Sequence, residues 1–79
     1  MKAFLEYVAR GLVDKPDAGW VEVEEDADET ILTLGVDQED MGRVIGRDGR
    51  IANAIRSLLK VMATKDGRHV ELEIVSDAE

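Results

Sequence analysis

A four-residue turn with glycine at both ends, Gly46-Arg47-Asp48-Gly49, separates two stretches whose apolar residues repeat at helical spacing. Glycine tolerates positive φ and lets another backbone approach closely, so this pair predicts a tight connection between two helices. Arginines lie before, inside and after the turn, at Arg43, Arg47 and Arg50. Because the planar guanidinium group bonds phosphate oxygens, the turn is a candidate anion-binding site.

The residues on each side of this turn predict two helices of unequal length. A short helix is expected over 40–45, with Asp37 as its N-cap and Asp40 in a capping-box-like position three residues later. A longer helix is expected over 50–63, and the Asp66-Gly67 pair predicts the turn that follows it. The apolar face of the longer helix comprises Ile51, Ile55, Leu58, Leu59 and Met62.

Alternation of apolar and polar residues predicts three strands, over 20–25, 30–36 and 70–74. The second strand is β-branched and apolar, so we expect it to be the central one. It follows the first across the acidic segment 25–29, which favours an antiparallel pair, whereas the third follows two helices and can run parallel to the second. An amphipathic helix over 2–13 precedes all three strands.

These elements predict an α+β fold in the order α-β-β-α-α-β, with a three-stranded mixed sheet and helices packed on one face. No internal repeat or linker divides the 79 residues, so a single domain over 1–79 is expected. Trp20 is expected to be a packing residue or a dimer contact. Residues 76–79 are expected to fray.

The charge of the chain is unevenly distributed along the sequence. The net charge is −8, which by itself argues against a nucleic-acid partner. Residues 41–63, however, carry five basic side chains against one acidic side chain, whereas residues 1–40 carry three against twelve. Exposed charges beyond about 8 Å are largely screened at physiological salt, so the local positive field around the turn decides what can bind there.

Composition excludes several classes of function. The chain has no cysteine and one histidine, His69, which excludes a disulfide framework and zinc sites built from thiolates or several histidines. No nucleophile stands beside a base, and the turn lacks the Gly-Lys-Ser/Thr of a P-loop, so we expect no enzyme activity and no cofactor. No apolar run is long enough for a membrane span and no signal peptide is expected. A cytoplasmic protein is therefore predicted.

Over its whole length the chain resembles the KH family. The resemblance is carried by Met-Gly-Arg-Val-Ile-Gly-Arg-Asp-Gly-Arg-Ile at 41–51, by Ala-Ile-Arg-Ser-Leu-Leu-Lys at 54–60, and by the element order. A β-α-α-β core at about 30–75, preceded by a helix and strand at 2–25, is similar to the type II arrangement, and the length is similar to that of small bacterial single-KH proteins. The resemblance implies an RNA chaperone or post-transcriptional regulator, linked in some bacteria to the cell envelope and cell shape.

The resemblance also implies partners and a site. The expected partners are single-stranded RNA and either a second copy of the chain, forming a homodimer, or a larger KH protein, with no membrane and no small-molecule substrate. Arg47 is expected to reach the phosphates and strand residues 70–72 to influence base preference. The candidate RNA-binding residues are Met41, Gly42, Arg43, Val44, Ile45, Gly46, Arg47, Asp48, Gly49, Arg50 and Ile51. Among them, the apolar floor for bases is expected to comprise Met41, Val44, Ile45 and Ile51.

Asp48 is the residue in the turn that does not suit phosphate binding. Its carboxylate is expected to repel phosphate, to cap the second helix, or to neutralise Arg47 or Arg50. We therefore expect weak affinity, micromolar or weaker, for one domain. The alternative function is a protein-interaction or dimerisation module that binds RNA weakly or not at all and pairs through the outer face of the second helix or of the first.

Overall fold

The computed structural model describes residues 1–76, and in them six main elements follow one another in the predicted order. These are α1 (Lys2–Leu12), β1 (Trp20–Glu25), β2 (Glu29–Val36), α2 (Met41–Ile45), α3 (Arg50–Lys65) and β3 (His69–Ser76). The predicted α+β class is confirmed. β3 extends to Ser76, where fraying was expected, because its parallel pairing with β2 continues to that residue. Residues 77–79 of the predicted frayed segment lie outside the described residues.

The sheet has the order β1-β2-β3, so β2 is central, as predicted. β1 pairs with β2 in antiparallel register, with Val23 opposite Leu32. β3 pairs with β2 in parallel register, with Leu72 opposite the same Leu32. Because two helices intervene between β2 and β3, the chain can return to the same end of the sheet and complete this mixed arrangement.

The core lies between one face of the sheet and the helices. Leu32 and Leu34 of β2, Val44 of α2 and Leu59 of α3 are all at most 1% exposed. On α3 the buried residues are Ala52, Ile55, Leu59 and Ala63. The prediction that Leu58 belongs to this face is wrong, since Leu58 is 52% exposed. Successive helical residues point about 100° apart, so Leu58 and Leu59 cannot both point at the sheet.

Trp20 packs over the opposite face of the sheet. Its indole ring lies against Gly35, its partner across the β1–β2 ladder, and a Cβ atom at Gly35 would overlap the ring. The ring of Trp20 therefore packs against the sheet, although the residue is 37% exposed, and a side chain at Gly35 would require the ring to move.

Arg68 ties the loop between α3 and β3 to the hairpin between β1 and β2. Its guanidinium group donates to the Thr30 hydroxyl at 3.0 Å and to the carbonyl oxygens of Asp26 at 2.8 Å and Glu29 at 2.9 Å. The predicted turn at Asp66-Gly67 places Arg68 for these bonds. This anchor fixes the end of the sheet at which β3 begins, and β3 borders the candidate site.

Candidate nucleic-acid interface

The connection between α2 and α3 is a tight turn in which three of four residues have positive φ. Gly46 has φ 77° and ψ 175°, Asp48 has φ 56° and ψ 25°, and Gly49 has φ 76° and ψ 14°. The amide of Gly49 donates to the carbonyl oxygen of Gly46 at 3.2 Å and closes the turn. Glycine adopts positive φ freely, and Asp adopts the left-handed region more readily than most other L-residues. The residue types at 46, 48 and 49 therefore suit these backbone conformations.

The two glycines of the turn have different roles. A Cβ atom at Gly46 would lie 2.7 Å from Cγ1 of Ile51, which is closer than such atoms approach. A Cβ atom at Gly49 would have only Asn53 Nδ2 nearby, at 3.8 Å. Gly46 is therefore needed for the contact between α2 and α3, whereas the surroundings of Gly49 are open.

The three arginines around the turn are not equivalent. Arg47 and Arg50 are exposed, and neither has a hydrogen-bond or ion-pair partner within residues 1–76. Arg43 instead forms ion pairs with Asp14 at 2.8 Å and with Asp40 at 3.5 Å. The charge of Arg43 is thus largely compensated, and the free positive charge of the turn comes from Arg47 and Arg50.

The buried carboxylate of Asp40 forms an ion pair with Arg43 and so draws this side chain away from the turn between α2 and α3. Asp40 is 1% exposed and accepts hydrogen bonds from the backbone amides of Asp14 at 3.1 Å and Lys15 at 3.0 Å. The capping-box role predicted for it is wrong. The Asp37 carboxylate accepts from the Glu39 amide at 2.9 Å, but it caps the short 3-10 turn Gln38–Asp40 that precedes α2 and not α2 itself. Asp40 therefore anchors the loop after α1 to the start of α2.

The loop after α1 is held to the segment before α2 by a second ion pair, at the surface. The Lys15 ammonium group contacts the Glu39 carboxylate at 2.8 Å. This hydrogen bond, with the negative charge of Asp37, raises the pKa of Lys15 above 10.5. The group is exposed, so the pair adds little to stability.

Asp48 fulfils neither of the local roles considered for it. Gly49 is the N-cap of α3, no side chain from the described residues caps that end, and Asp48 forms no ion pair with Arg47 or Arg50 within the described chain. The N–H groups of the first turn of α3 are consequently left without a side-chain cap at the positive end of the helix dipole. A phosphate group suits this position, although the exposed Asp48 carboxylate opposes it.

The apolar candidates divide between core and surface. Val44 is fully buried, so the prediction that it forms part of a floor for bases is wrong. It points inward because α2 has only five residues and needs a core contact to hold its position. Met41, Ile45 and Ile51 are partly buried against the core.

A cleft of about 320 Å³ lies between α3 and the edge strand β3. Its lining includes the predicted β3 segment, and the residues are Arg56, Leu59, Lys60, Val70, Glu71 and Leu72. Arg56 and Lys60 were absent from the predicted site. Their spacing of four residues, which places two cations on one flank of the helix, is the sequence pattern that could have predicted them as site residues.

Arg56 is held in place within this cleft. Its guanidinium group donates to the Asn53 side chain at 3.2 Å and approaches the Leu72 carbonyl oxygen at 3.5 Å. The turn and the cleft therefore both lie along α3, with the exposed cations Arg47 and Arg50 at its start and a partly apolar cleft further along.

Residues 1–76 show neither a metal site nor a membrane-spanning helix. No group of three or more His, Asp or Glu side chains there is arranged to hold a metal ion. No helix in the same residues combines the length and the apolar character that crossing a bilayer requires.

Known proteins similar to this chain share both its sequence and its fold. A family model described as the KH domain of KhpA/KhpB matches residues 2–74. The chain is 49% identical over 71 residues to the RNA-binding protein KhpA of Borreliella burgdorferi, covering 90% of this chain and 87% of that protein. It is 45% identical over 75 residues to the RNA-binding protein KhpA of Clostridium perfringens, covering 95% of this chain and 100% of that protein.

A solved structure shares the fold at lower identity. It is the crystal structure of Era in complex with MgGDPNP and nucleotides 1506–1542 of 16S ribosomal RNA, with a TM-score of 0.54 and 21% identity. The match covers 95% of this chain and 29% of that chain. At this identity the similarity concerns the fold alone.

The different roles of the two glycines lead to a stability prediction. Gly46→Ala is expected to lower the free energy of unfolding by about 2–5 kcal/mol, because strain at positive φ adds to overlap with Ile51. Gly49→Ala is expected to cost only about 1–2 kcal/mol, from the backbone conformation alone. Urea denaturation of both variants measures the difference. Equal losses would contradict the packing role of Gly46.

Proposed function

The chain belongs to the KH-domain family of KhpA and KhpB, and we propose from this that it binds single-stranded RNA at the turn between α2 and α3. The resemblance predicted from the sequence is confirmed. The observation that carries the proposal is the uncapped N-terminus of α3, bordered by Arg47 and Arg50, neither of which is paired within residues 1–76. The names of the similar proteins, which describe RNA binding, support the same function.

In the proposed complex the sugar–phosphate backbone crosses the turn at Gly49. Amides of the first turn of α3 beyond that of Arg50, which already donates to the Arg47 carbonyl oxygen, donate to phosphate oxygens, and the guanidinium groups of Arg47 and Arg50 add charge-assisted bonds. KH domains clamp about four nucleotides in this manner. The bases then enter the cleft between α3 and β3, where Val70 provides apolar contact and Lys60 adds positive charge.

The distribution of acidic residues favours this orientation of the RNA. On the sheet face that carries no helices, Ile31 lies between Glu24 and Glu71, and Thr33 lies between Glu22 and Glu73. Phosphates are repelled from that face. The net charge of −8 is thus compatible with RNA binding, because the positive field is confined to the turn and α3.

The proposed role is that of a non-enzymatic RNA chaperone or post-transcriptional regulator in the cytoplasm. Residues 1–79 are proposed to form one type II KH domain, with the core over about 30–75 and the extension over 2–25. The candidate phosphate-binding and groove residues of the turn remain proposals, with Arg43 and Val44 given structural roles.

Reversing the charge of Arg47 tests the phosphate contact. Arg47→Asp is expected to weaken binding of a short single-stranded RNA about tenfold or more, because a charge-assisted bond is replaced by repulsion. Two to three contacts predict a slope of about −1.4 to −2.1 for log K against log salt, and the variant should lose about 0.7 of it. Fluorescence anisotropy at several salt concentrations measures both quantities.

The control for Arg47→Asp is Lys65→Asp, which makes the same charge change about 22 Å further along α3. It should alter affinity much less. If the two variants bind RNA equally well, or if Arg47→Asp binds like the wild type, the turn is not the phosphate site.

Removing the charge of Asp48 should strengthen binding. Asn tolerates the left-handed conformation, so Asp48→Asn is expected to keep the fold and to raise RNA affinity about two- to fivefold by removing repulsion. Asp66→Asn, at the opposite end of α3, is the matched control and should change affinity little. Unchanged affinity in Asp48→Asn would show that no phosphate passes near this residue.

Self-association is the second candidate function, and an exposed apolar patch on α3 favours it. Leu58 is 52% exposed and Val61 is 65% exposed, and with Ala54 they follow the i, i+4, i+7 spacing of one helix face. Exposed apolar patches on small proteins mark interaction surfaces. We propose that this face pairs with a second copy or with a larger KH protein, which would bring two RNA-binding turns together.

Disrupting this patch tests the self-association proposal. Leu58→Glu is expected to convert a dimer into a monomer in sedimentation velocity experiments, because it places a charge in an apolar contact. Tyr7→Glu alters the most exposed apolar residue of α1, which is 80% exposed, and should leave the dimer intact. If only Tyr7→Glu dissociates the dimer, the surface is α1, and a monomeric wild type would contradict self-association.

A further inference from the structure

Where the free edge of the sheet borders the cleft, a side chain of α3 contacts a backbone carbonyl oxygen of the edge strand. β3 is an edge strand, and such an edge normally offers unpaired N–H donors and C=O acceptors. The Leu72 carbonyl oxygen points to this edge, since Arg56 on α3 reaches it at 3.5 Å. Arg56 therefore covers an acceptor that the amino group of an incoming base would otherwise find.

Arg56 also brings donors into the cleft that it lines. Asn53 accepts one of its N–H groups at 3.2 Å, which limits the positions that the side chain can adopt. A guanidinium group has five N–H donors, and the Asn53 and Leu72 contacts engage one each, so most of its donors have no partner within residues 1–76. The cleft thus presents a planar fork of donors in place of a backbone acceptor.

A fork of two donors selects bases by their acceptors. Guanine offers two adjacent acceptors at O6 and N7, and cytosine offers N3 and O2. Adenine has no such pair, because its N6 amino group lies beside both N1 and N7 and would face the donors of Arg56. Arg56 also competes with that amino group for the Leu72 carbonyl oxygen.

We propose that Arg56 is a specificity-determining residue that makes the cleft prefer bases with two adjacent acceptors, guanine among the purines, and disfavour adenine. This inference rests on the proposed binding of single-stranded RNA. Lys60 lines the same cleft with a single ammonium group, which attracts phosphates and bases without distinguishing paired acceptors.

The test compares matched heptamers by fluorescence anisotropy on the full chain. The probes are UUUUUUU, UUUGUUU, UUUAUUU and the guanine heptamer with 7-deazaguanine, which lacks the N7 acceptor. The wild type is expected to bind the guanine heptamer about tenfold more tightly than the adenine heptamer. The 7-deazaguanine heptamer should lose most of this advantage, and this result needs no protein variant.

Two variants separate the fork from its charge. Arg56→Lys keeps the charge but loses the paired donors, so the guanine-to-adenine ratio should fall to about one while affinity for the uridine heptamer is largely retained. Lys60→Gln removes one charge from the same cleft and should weaken binding of all heptamers with the ratio unchanged. Thermal unfolding checks that both variants remain folded.

The outcomes separate this inference from the proposed function. Equal binding of the guanine and adenine heptamers by the wild type, or a ratio that survives in Arg56→Lys, overturns the role of Arg56 while RNA binding stands. If none of the heptamers binds and Arg47→Asp changes nothing, the proposed function fails and the specificity inference fails with it.

Discussion

The contact between Gly46 and Ile51 is the constraint on which the candidate site depends. It brings the end of α2 against the start of α3 at a distance that no side chain at position 46 could allow. Since α2 has five residues, it is too short to be stable alone and is held by this contact and by the burial of Val44. The close approach in turn forces the chain through the positive φ angles that leave the first amides of α3 without a side-chain cap.

Pairing of charges decides which part of the turn remains available to a ligand. The buried carboxylate of Asp40 accepts hydrogen bonds from two backbone amides and forms an ion pair with Arg43. Arg43 also forms an ion pair with the Asp14 carboxylate. The neighbouring Arg47 and Arg50 have no such acidic partner in the described part of the chain. The same ion-pair network therefore fixes α2 against the loop after α1, and of the three arginines around the turn it leaves only Arg47 and Arg50 unpaired within residues 1–76.

The element order and the turn could be predicted because they depend on local patterns. Hydrophobic periods of two and of about 3.6 residues distinguish strands from helices, and the paired glycines mark the break. The errors concern residues whose roles depend on distant partners. The sequence position of Asp40 is typical of a helix cap, but its carboxylate oxygens accept hydrogen bonds from backbone amides about 25 residues earlier in the chain. Val44 and Leu58 were misplaced because apolar type does not reveal which side of a helix meets the sheet.

Arg56 shows most clearly what sequence patterns leave open. In the sequence it is one of several basic residues on a helix flank, and its spacing from Lys60 suggests only a positive surface. In the fold it faces the Leu72 carbonyl oxygen, which belongs to an edge strand sixteen residues later. The guanidinium donors that the cleft presents are placed there by that meeting. In the proposed complex the KH fold thus supplies the path for the RNA strand, and contacts between α3 and β3 in this particular chain determine which bases suit it.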